Sequence, residues 1–368
     1  MRRLTVVLGC LATLALAPAA TAQEAPPPPP PPAAPSSSEP SGPPPTSGPS
    51  SGNATSGWAK AQMKAVVAAG LMAPSVASFR GDDPLTRGEL GELLAALGGS
   101  GVVKGDPGAP VKLRELDAAL VRLLGQAKTA SALRRTLAEA GLQPSSRVGT
   151  ETVARLLGLR LNHPQERDPL ELGPDSAVTR AETAYSVARV LELRASRSAQ
   201  AIAGAAATIE LPELTEWQRK VIARSLRFVG YPYIWGGTSE RPQTLFGVRV
   251  PGGFDCSGLV WRVYKLEPFE GAPELAKTLK GRTTYVMSAE FPVVQRIPLR
   301  SVQPGDLLFF GDEGAASKPS QVGHMGLALG DGWMIHSSSR GVTIAPIEGW
   351  YADRFAWGRR PLAEAGLE

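Results

Sequence analysis

Cysteine and histidine are scarce. The 368-residue chain has two cysteines and three histidines, too few for a disulfide-stapled scaffold or a cysteine-rich zinc protein. The net charge is mild as well. Charged residues make up 20% of the chain and the formal net charge is +5, so nothing in the balance calls for a nucleic-acid partner. A stable membrane span is not expected, because the apolar run at residues 4–22 is short and weakly anchored. Proline and glycine, by contrast, are in excess. There are 34 prolines and 40 glycines, and 13 of the prolines fall within residues 26–50.

These features divide the chain. Arg2 and Arg3 precede the apolar run, and Ala20-Thr21-Ala22 ends it in an A-x-A pattern. The expectation is a signal peptide over residues 1–22, cut before Gln23, in an exported protein. A competing reading makes Cys10 a lipidation site, because the residues before it loosely resemble a lipobox. Residues 23–57 read as a Pro-rich disordered linker, since such a composition cannot bury enough to offset its ordering entropy.

The next segment is patterned for helices. Thr86 is suited to cap a helix carrying Leu90, Leu93, Leu94 and Leu97, with Glu89 at the capping-box spacing. The pattern returns at residues 110–125 and again at 175–193, where Thr179 and Glu182 repeat the register. Recurrence of one helical unit implies stacked hairpins that share a core. LTRGE at 85–89 and VTRAE at 178–182, with the reduced LRE at 113–115, resemble surface-layer homology (SLH) repeats. The resemblance implies a three-repeat module that binds secondary wall polysaccharide, with Arg87 and Arg180 as candidate contacts. The alternative is a helical spacer in which Thr and Glu only cap helices.

Chemistry concentrates in the C-terminal block, which holds six of the seven tryptophans. GYPYIWGG at 230–237 breaks a preceding helix. Asp255, Cys256 and Ser257 then lead into Leu259, Val260, Val263 and Tyr264 at helical spacing, so Cys256 sits in a first helical turn. Unpaired N–H groups at such a turn favour a thiolate. Once residues 1–22 are removed, Cys256 is the only cysteine left, and a retained free thiol in an exported protein suggests a task. Short strands separated by Gly-containing turns follow, and they imply an antiparallel sheet. His324 and His336 fall on neighbouring strands, at the same end of that sheet. With Cys256 they form a nucleophile, base and orienter set. His163, in NHPQERDP, has no such company and reads as incidental. Zinc is the competing use of a Cys and two His, although no short metal-ligand spacing supports it.

YIWGG at 233–237, DCSGLV at 255–260, PGDLLFF at 304–310, HMGLALG at 324–330 and MIHSSSRGV at 334–342 together resemble the NlpC/P60 family of papain-like cell-wall endopeptidases. The resemblance implies Cys256 as nucleophile, His324 as general base, His336 as its orienter and Tyr233 as oxyanion or site support. It implies no metal and no cofactor. The substrate would be the peptidoglycan stem peptide, cut at the γ-D-glutamyl–diamino acid bond. A papain-like amidase or acyltransferase on another wall amide or ester is an alternative, as is a wall-binding structural protein with an inactive hydrolase domain. The segment between WGG and DCSG is long for the family and is expected to form a loop beside the cleft.

The expected fold is α+β: a papain-like catalytic domain with an antiparallel sheet, plus a separate all-helical SLH-like domain. The expected boundaries are 58–199 for the helical domain, 200–213 for a second linker, 214–360 for the catalytic domain and 361–368 for a C-terminal tail.

Overall fold

The computed structural model describes residues 55–368. The signal peptide, the Cys10 site and all but the last three residues of the first linker lie outside the described residues.

From Thr55 to Ala207 every described element is helical. In order these are α1 (Lys60–Ala68), α2 (Arg87–Ala96), α3 (Leu113–Leu123), α4 (Ala127–Glu139), α5 (Val148–Leu156), α6 (Arg180–Ser196) and α7 (Ala199–Ala203). Three of them begin alike. The residues before α2, α3 and α6 close a ring of backbone hydrogen bonds: Leu85 N–H to Val178 C=O at 2.9 Å, Val178 N–H to Val111 C=O at 2.9 Å, and Val111 N–H to Leu85 C=O at 2.8 Å. The first N–H of each helix, which has no partner within its own helix, then donates to the loop before the next. Arg87 donates to Ala109, Leu113 to Ser176 and Arg180 to Asp83. The recurring sequence unit is therefore a threefold arrangement in which each copy satisfies its neighbour's helix terminus. Leu85, Val111, Leu116, Leu120 and Val178 fill its centre.

The rest of the chain mixes helix and sheet. Helix α8 (Glu216–Leu226) is capped by Thr215 and Gln218 in a capping box. It leads through residues 227–237 to four short strands, β1 (Thr238–Ser239), β2 (Gln243–Leu245), β3 (Val248–Val250) and β4 (Gly253–Phe254). The long insertion expected as a loop is thus two antiparallel pairs, β1 with β4 and β2 with β3. Helix α9 (Cys256–Tyr264) follows, then α10 (Leu275–Thr278) and α11 (Thr284–Ala289). The main sheet contains β5 (Leu307–Gly311), β6 (Val322–Gly330), β7 (Trp333–Ser338), β8 (Gly341–Pro346) and, after α12 (Trp350–Arg354), β9 (Phe355–Arg359). Its order is β8-β7-β6-β5-β9, and every pair is antiparallel. One face packs Phe309, Met325, Leu327 and Ile335 with Leu259, Val260 and Val263 of α9. The other packs Leu308, Phe310 and Met334 with Tyr351 of α12.

The helical region and the mixed region are not separate in their packing. Leu133 and Leu137 of α4, Leu142 and Val148 belong to the same buried cluster as Val221, Ile222 and Phe228. Residues 200–213, expected as a linker, are packed as well, with Ala203, Ala206 and Ile209 buried. The expected tail forms α13 (Pro361–Glu364), and Glu364 receives two hydrogen bonds from buried Arg359, at 2.8 and 2.9 Å. Among the described residues no helix is long and apolar enough to cross a membrane.

Candidate active site

Cys256 is the first residue of α9, and Asp255 is its N-cap. Asp255 Oδ1 accepts Gly258 N–H at 2.5 Å and Ser257 Oγ–H at 3.0 Å. Its Oδ2 accepts Gly236 N–H at 2.9 Å and Arg282 Nη2–H at 3.0 Å. One carboxylate therefore fastens the helix that begins with Cys256 to the glycine-rich turn and to the segment before α11. Gly236 has φ +73°, a left-handed conformation that glycine adopts without steric cost. Gly258 lies so close to the Gly237 carbonyl and Arg282 that a Cβ has no room there. The cap leaves the Cys256 N–H at the first turn, outside the ladder of the helix.

The thiol is 7% exposed. Its Sγ lies 3.4 Å from Thr284 Oγ1 of α11, and Met325 N–H also reaches it. Burial, then the Asp255 charge, pushes the thiol up to about 11, while Thr284 and Met325 pull it down. This reverses the lowering expected from a helix N-terminus alone: with the site closed, loss of water outweighs the helix.

His324 opens the inner part of β6, and His336 lies on β7, whose register pairs it with Gly326. His324 Nε2 and His336 Nδ1 are 3.0 Å apart. Both rings are buried among Phe310, Trp350 and Tyr351. Burial lowers His324 to about 3. It lowers His336 well below the usual histidine range too, with the neighbouring His324 and Arg340 adding to it. Both imidazoles are thus held neutral. Ser337 Oγ–H donates to Phe254 C=O at 2.6 Å, tying β7 to the strand that runs into Cys256.

Tyr233 is 9% exposed. Its phenol is raised well above the usual range by burial first and then by the Cys256 charge. Tyr233 bridges to Phe254, two residues before Cys256. The structure thus gathers Cys256 and Tyr233 at the start of α9, and sets the two histidines together on the sheet beside Met325. The thiol's own hydrogen-bond partners are Thr284 and Met325 rather than His324.

Arg87 and Arg180 are placed differently. Arg87 Nη2 bonds both oxygens of Glu115, at 2.8 and 2.9 Å. Arg180 is 4% exposed and donates to Phe79 C=O, Met72 C=O and Glu89. Each Arg reaches the Glu of another repeat, so the Arg-x-Glu spacing serves the threefold ring. In the second repeat Arg114 turns out to Asp175, and Glu182 of the third bonds Arg160 and His163.

Four residues that the sequence reading passed over bear on the site. Arg282 bonds Asp255, Ser257 Oγ at 2.7 Å and Gly236 C=O at 3.1 Å, and Thr284 touches the thiol. A polar Arg-Thr-Thr run in the stretch after α9 was the available signal. Asn162 and Asp168 come from the helical region. Asn162 accepts from Tyr233 N–H at 2.6 Å and donates to Tyr233 C=O at 3.0 Å. Asp168 accepts from Trp235 N–H at 3.1 Å. Nothing in their spacing marks them. His163, read as incidental, is buried, bonds Glu182 at 2.9 Å and packs edge-on to Trp58 at 4.5 Å.

A buried thiol at a helix N-terminus, beside a sheet carrying a hydrogen-bonded histidine pair, is the equipment of a cysteine hydrolase. Residues 230–360 match the sequence profile described as the NlpC/P60 family, so this stretch is an NlpC/P60 family domain. The γ-D-glutamyl-L-lysine dipeptidyl-peptidase of Bacillus subtilis is 32% identical over 128 residues, 34% of this chain and 33% of that protein. The bifunctional muramidase/DL-endopeptidase CwlT of the same species is 30% identical over 139 residues, 37% of this chain and 34% of that protein. The solved structure of an NlpC/P60 family protein from Bacillus cereus is 28% identical, covers 42% of each chain and has a TM-score of 0.30. The chain spans about a third of the length of these Bacillus relatives and 24% of a Mycobacterium tuberculosis one.

Proposed function

We propose that the protein is an exported peptidoglycan hydrolase, a cysteine endopeptidase that cuts the stem peptide at the γ-D-glutamyl–diamino acid bond. The observation that carries this reading is the free thiol of Cys256 at the head of α9, inside an NlpC/P60 family domain that also holds the His324–His336 pair. The name of the Bacillus subtilis dipeptidyl-peptidase supports the choice of bond.

In this mechanism His324 takes the thiol proton through Nδ1, because Nε2 is engaged by His336. Apo sites often hold such pairs apart until substrate binds. The thiolate adds to the amide carbonyl, forming the C–S bond. The oxyanion is held by the Cys256 N–H and the Tyr233 hydroxyl. The C–N bond then breaks as His324 returns its proton to the leaving amine. Water, deprotonated by His324, hydrolyses the thioester and frees the thiol and a carboxylate product.

The helical region is read as an SLH-like module for secondary wall polysaccharide, which its threefold repeat arrangement supports. Arg180 is buried within the ring, so polymer contact falls to the groove beside it, lined by Arg87, Lys104, Arg122 and Arg194.

Digestion of purified muropeptides, with mass spectrometry of the products, tests the activity. The wild-type chain is expected to release fragments ending in γ-D-glutamate, and Cys256→Ala none. Equal turnover by Cys256→Ala would discard the thiol mechanism.

A further inference from the structure

Tyr233 sits in an extended segment that belongs to no sheet. One edge faces the strand leading to the nucleophile: Ile234 N–H bonds Phe254 C=O, and Phe254 N–H bonds Pro232 C=O, both at 3.2 Å. Peptide groups of an extended chain alternate in direction, so the N–H and C=O of Tyr233 and the N–H of Trp235 point to the opposite edge. No strand lies there. Asn162 fills the gap, its carboxamide pairing with both peptide groups of Tyr233 as a neighbouring strand would, and Asp168 accepts from Trp235. Asn162 comes from a loop of the helical region and Asp168 from the short 3-10 turn (Gln165–Leu170) that continues it, both outside the NlpC/P60 domain.

That loop is itself fixed from behind. The His163 backbone N–H bonds Glu171, and its ring Nε2 bonds Glu182 of α6. Asn162 is thus presented from a rigid base rather than from a surface turn. The grip continues along the same segment, where Arg155 donates to Gly230 C=O at 2.5 Å and Arg147 to Val229 C=O at 3.2 Å.

We propose that Asn162 and Asp168 are positioning residues for catalysis: they lock the Tyr233–Trp235 backbone from its outer edge and so set the Tyr233 hydroxyl against the thiol. The helical region then completes the active site, in addition to any part it plays in wall binding. The proposal rests on the reading of Tyr233 as oxyanion support. Small displacements of such a group are costly, on the order of a hundredfold in rate per ångström.

The test uses the full chain and purified muropeptides. Asn162→Ala is expected to lower kcat roughly tenfold with KM changed less than about twofold. Asp168→Ala should act in the same direction, while Asp168→Asn, which keeps an oxygen for the Trp235 N–H, should recover most of the activity. In a Tyr233→Phe background Asn162→Ala should cost less than about twofold, because its effect passes through the absent hydroxyl. A full tenfold loss in that background, or no loss from Asn162→Ala in the wild-type background, overturns the proposal. Failure of the wild-type chain to cut muropeptides overturns the endopeptidase reading instead. Hydrogen exchange then serves independently of turnover: the amides of Tyr233 and Trp235 should be protected in the wild type and lose protection in Asn162→Ala, and unchanged protection counts against the proposal even if the variant is poorly active.

Discussion

His324 Nε2 faces His336 Nδ1 at 3.0 Å, with the two rings 80° apart. One nitrogen must donate and the other accept. For His324 to receive the thiol proton at Nδ1, its own proton must sit on Nε2, which makes His336 Nδ1 the acceptor. His336 then carries its proton on Nε2, which is buried without a hydrogen-bond partner. Its ring meets Tyr351 edge to face at 5.0 Å. The pair therefore selects one tautomer chain without placing a charge in the site.

From this the ranking of three substitutions follows. His324→Ala removes the proposed base and should lower kcat by roughly 10²–10⁴. His336→Ala removes only the acceptor that sets the tautomer, so it should cost less, and His336→Gln, which offers a carbonyl oxygen, less again. Steady-state kinetics on muropeptides checks the order. Equal losses from all three would mean that His336 does more than orient its neighbour.

The closed thiol has a measurable signature. With its pKa pushed from an ordinary value of 9.0 to about 11, Cys256 carries roughly a hundredfold less thiolate at pH 8 than a free cysteine. Iodoacetamide should therefore alkylate the ligand-free protein far more slowly than the denatured chain, with a rate still rising between pH 9 and 10. Thr284→Val removes a hydroxyl that pulls the thiol down and should move the profile to higher pH. A plateau below pH 8 would show that the site is open or the thiol already ionised.

Much of the site was legible in the sequence because its residues are tied to local pattern. Cys256 lies at the break between a glycine-rich turn and a run of helical periodicity, and α9 begins there. His324 and His336 ride on short strands bounded by glycine turns, and the antiparallel register sets them side by side. Asn162, Asp168 and Arg282 act through loop backbone far away in sequence, which no periodicity encodes. The repeat pattern was legible as recurrence, but the destinations of Arg87 and Arg180 were not, because an Arg-x-Glu spacing reads the same whether it faces a ligand or closes a ring. The shared core of α4, α5 and α8 was hidden for a similar reason, since an apolar helix face does not name its partner.

Arg282 should matter to stability and to rate together. It donates to Asp255, Ser257 and the Gly236 carbonyl, joining the segment before α11 to the cap of α9. Hydrogen bonds to a charged partner contribute roughly 1.5–3 kcal/mol, and Arg282 is 30% exposed at its side chain, so the lower end applies. Arg282→Ala is expected to lower the thermal midpoint by a few degrees and to reduce kcat, as Thr284 loses its seat over the thiol. Arg282→Lys should restore little, because an ammonium cannot span three acceptors in the planar geometry of a guanidinium. Full activity in Arg282→Ala would show that α9 is capped well enough without it.

The deepest charge in the helical region predicts a pH effect remote from the chemistry. Glu151 and Asp117 are both fully buried, and burial disfavours the charged form of each carboxyl. Burial first, and then the Asp117 charge, raises Glu151 from 4.5 to about 8. A folded-state value above the unfolded one means that the native protein holds a proton the unfolded chain releases. The associated stability is complete below about pH 4.5 and is lost as pH rises toward 8. Glu151→Gln keeps the shape and carries no such proton. The variant should therefore match the wild type near pH 5 and melt several degrees higher near pH 8. Thermal denaturation across that range tests it, and a constant difference between the two proteins would place the titrating proton elsewhere.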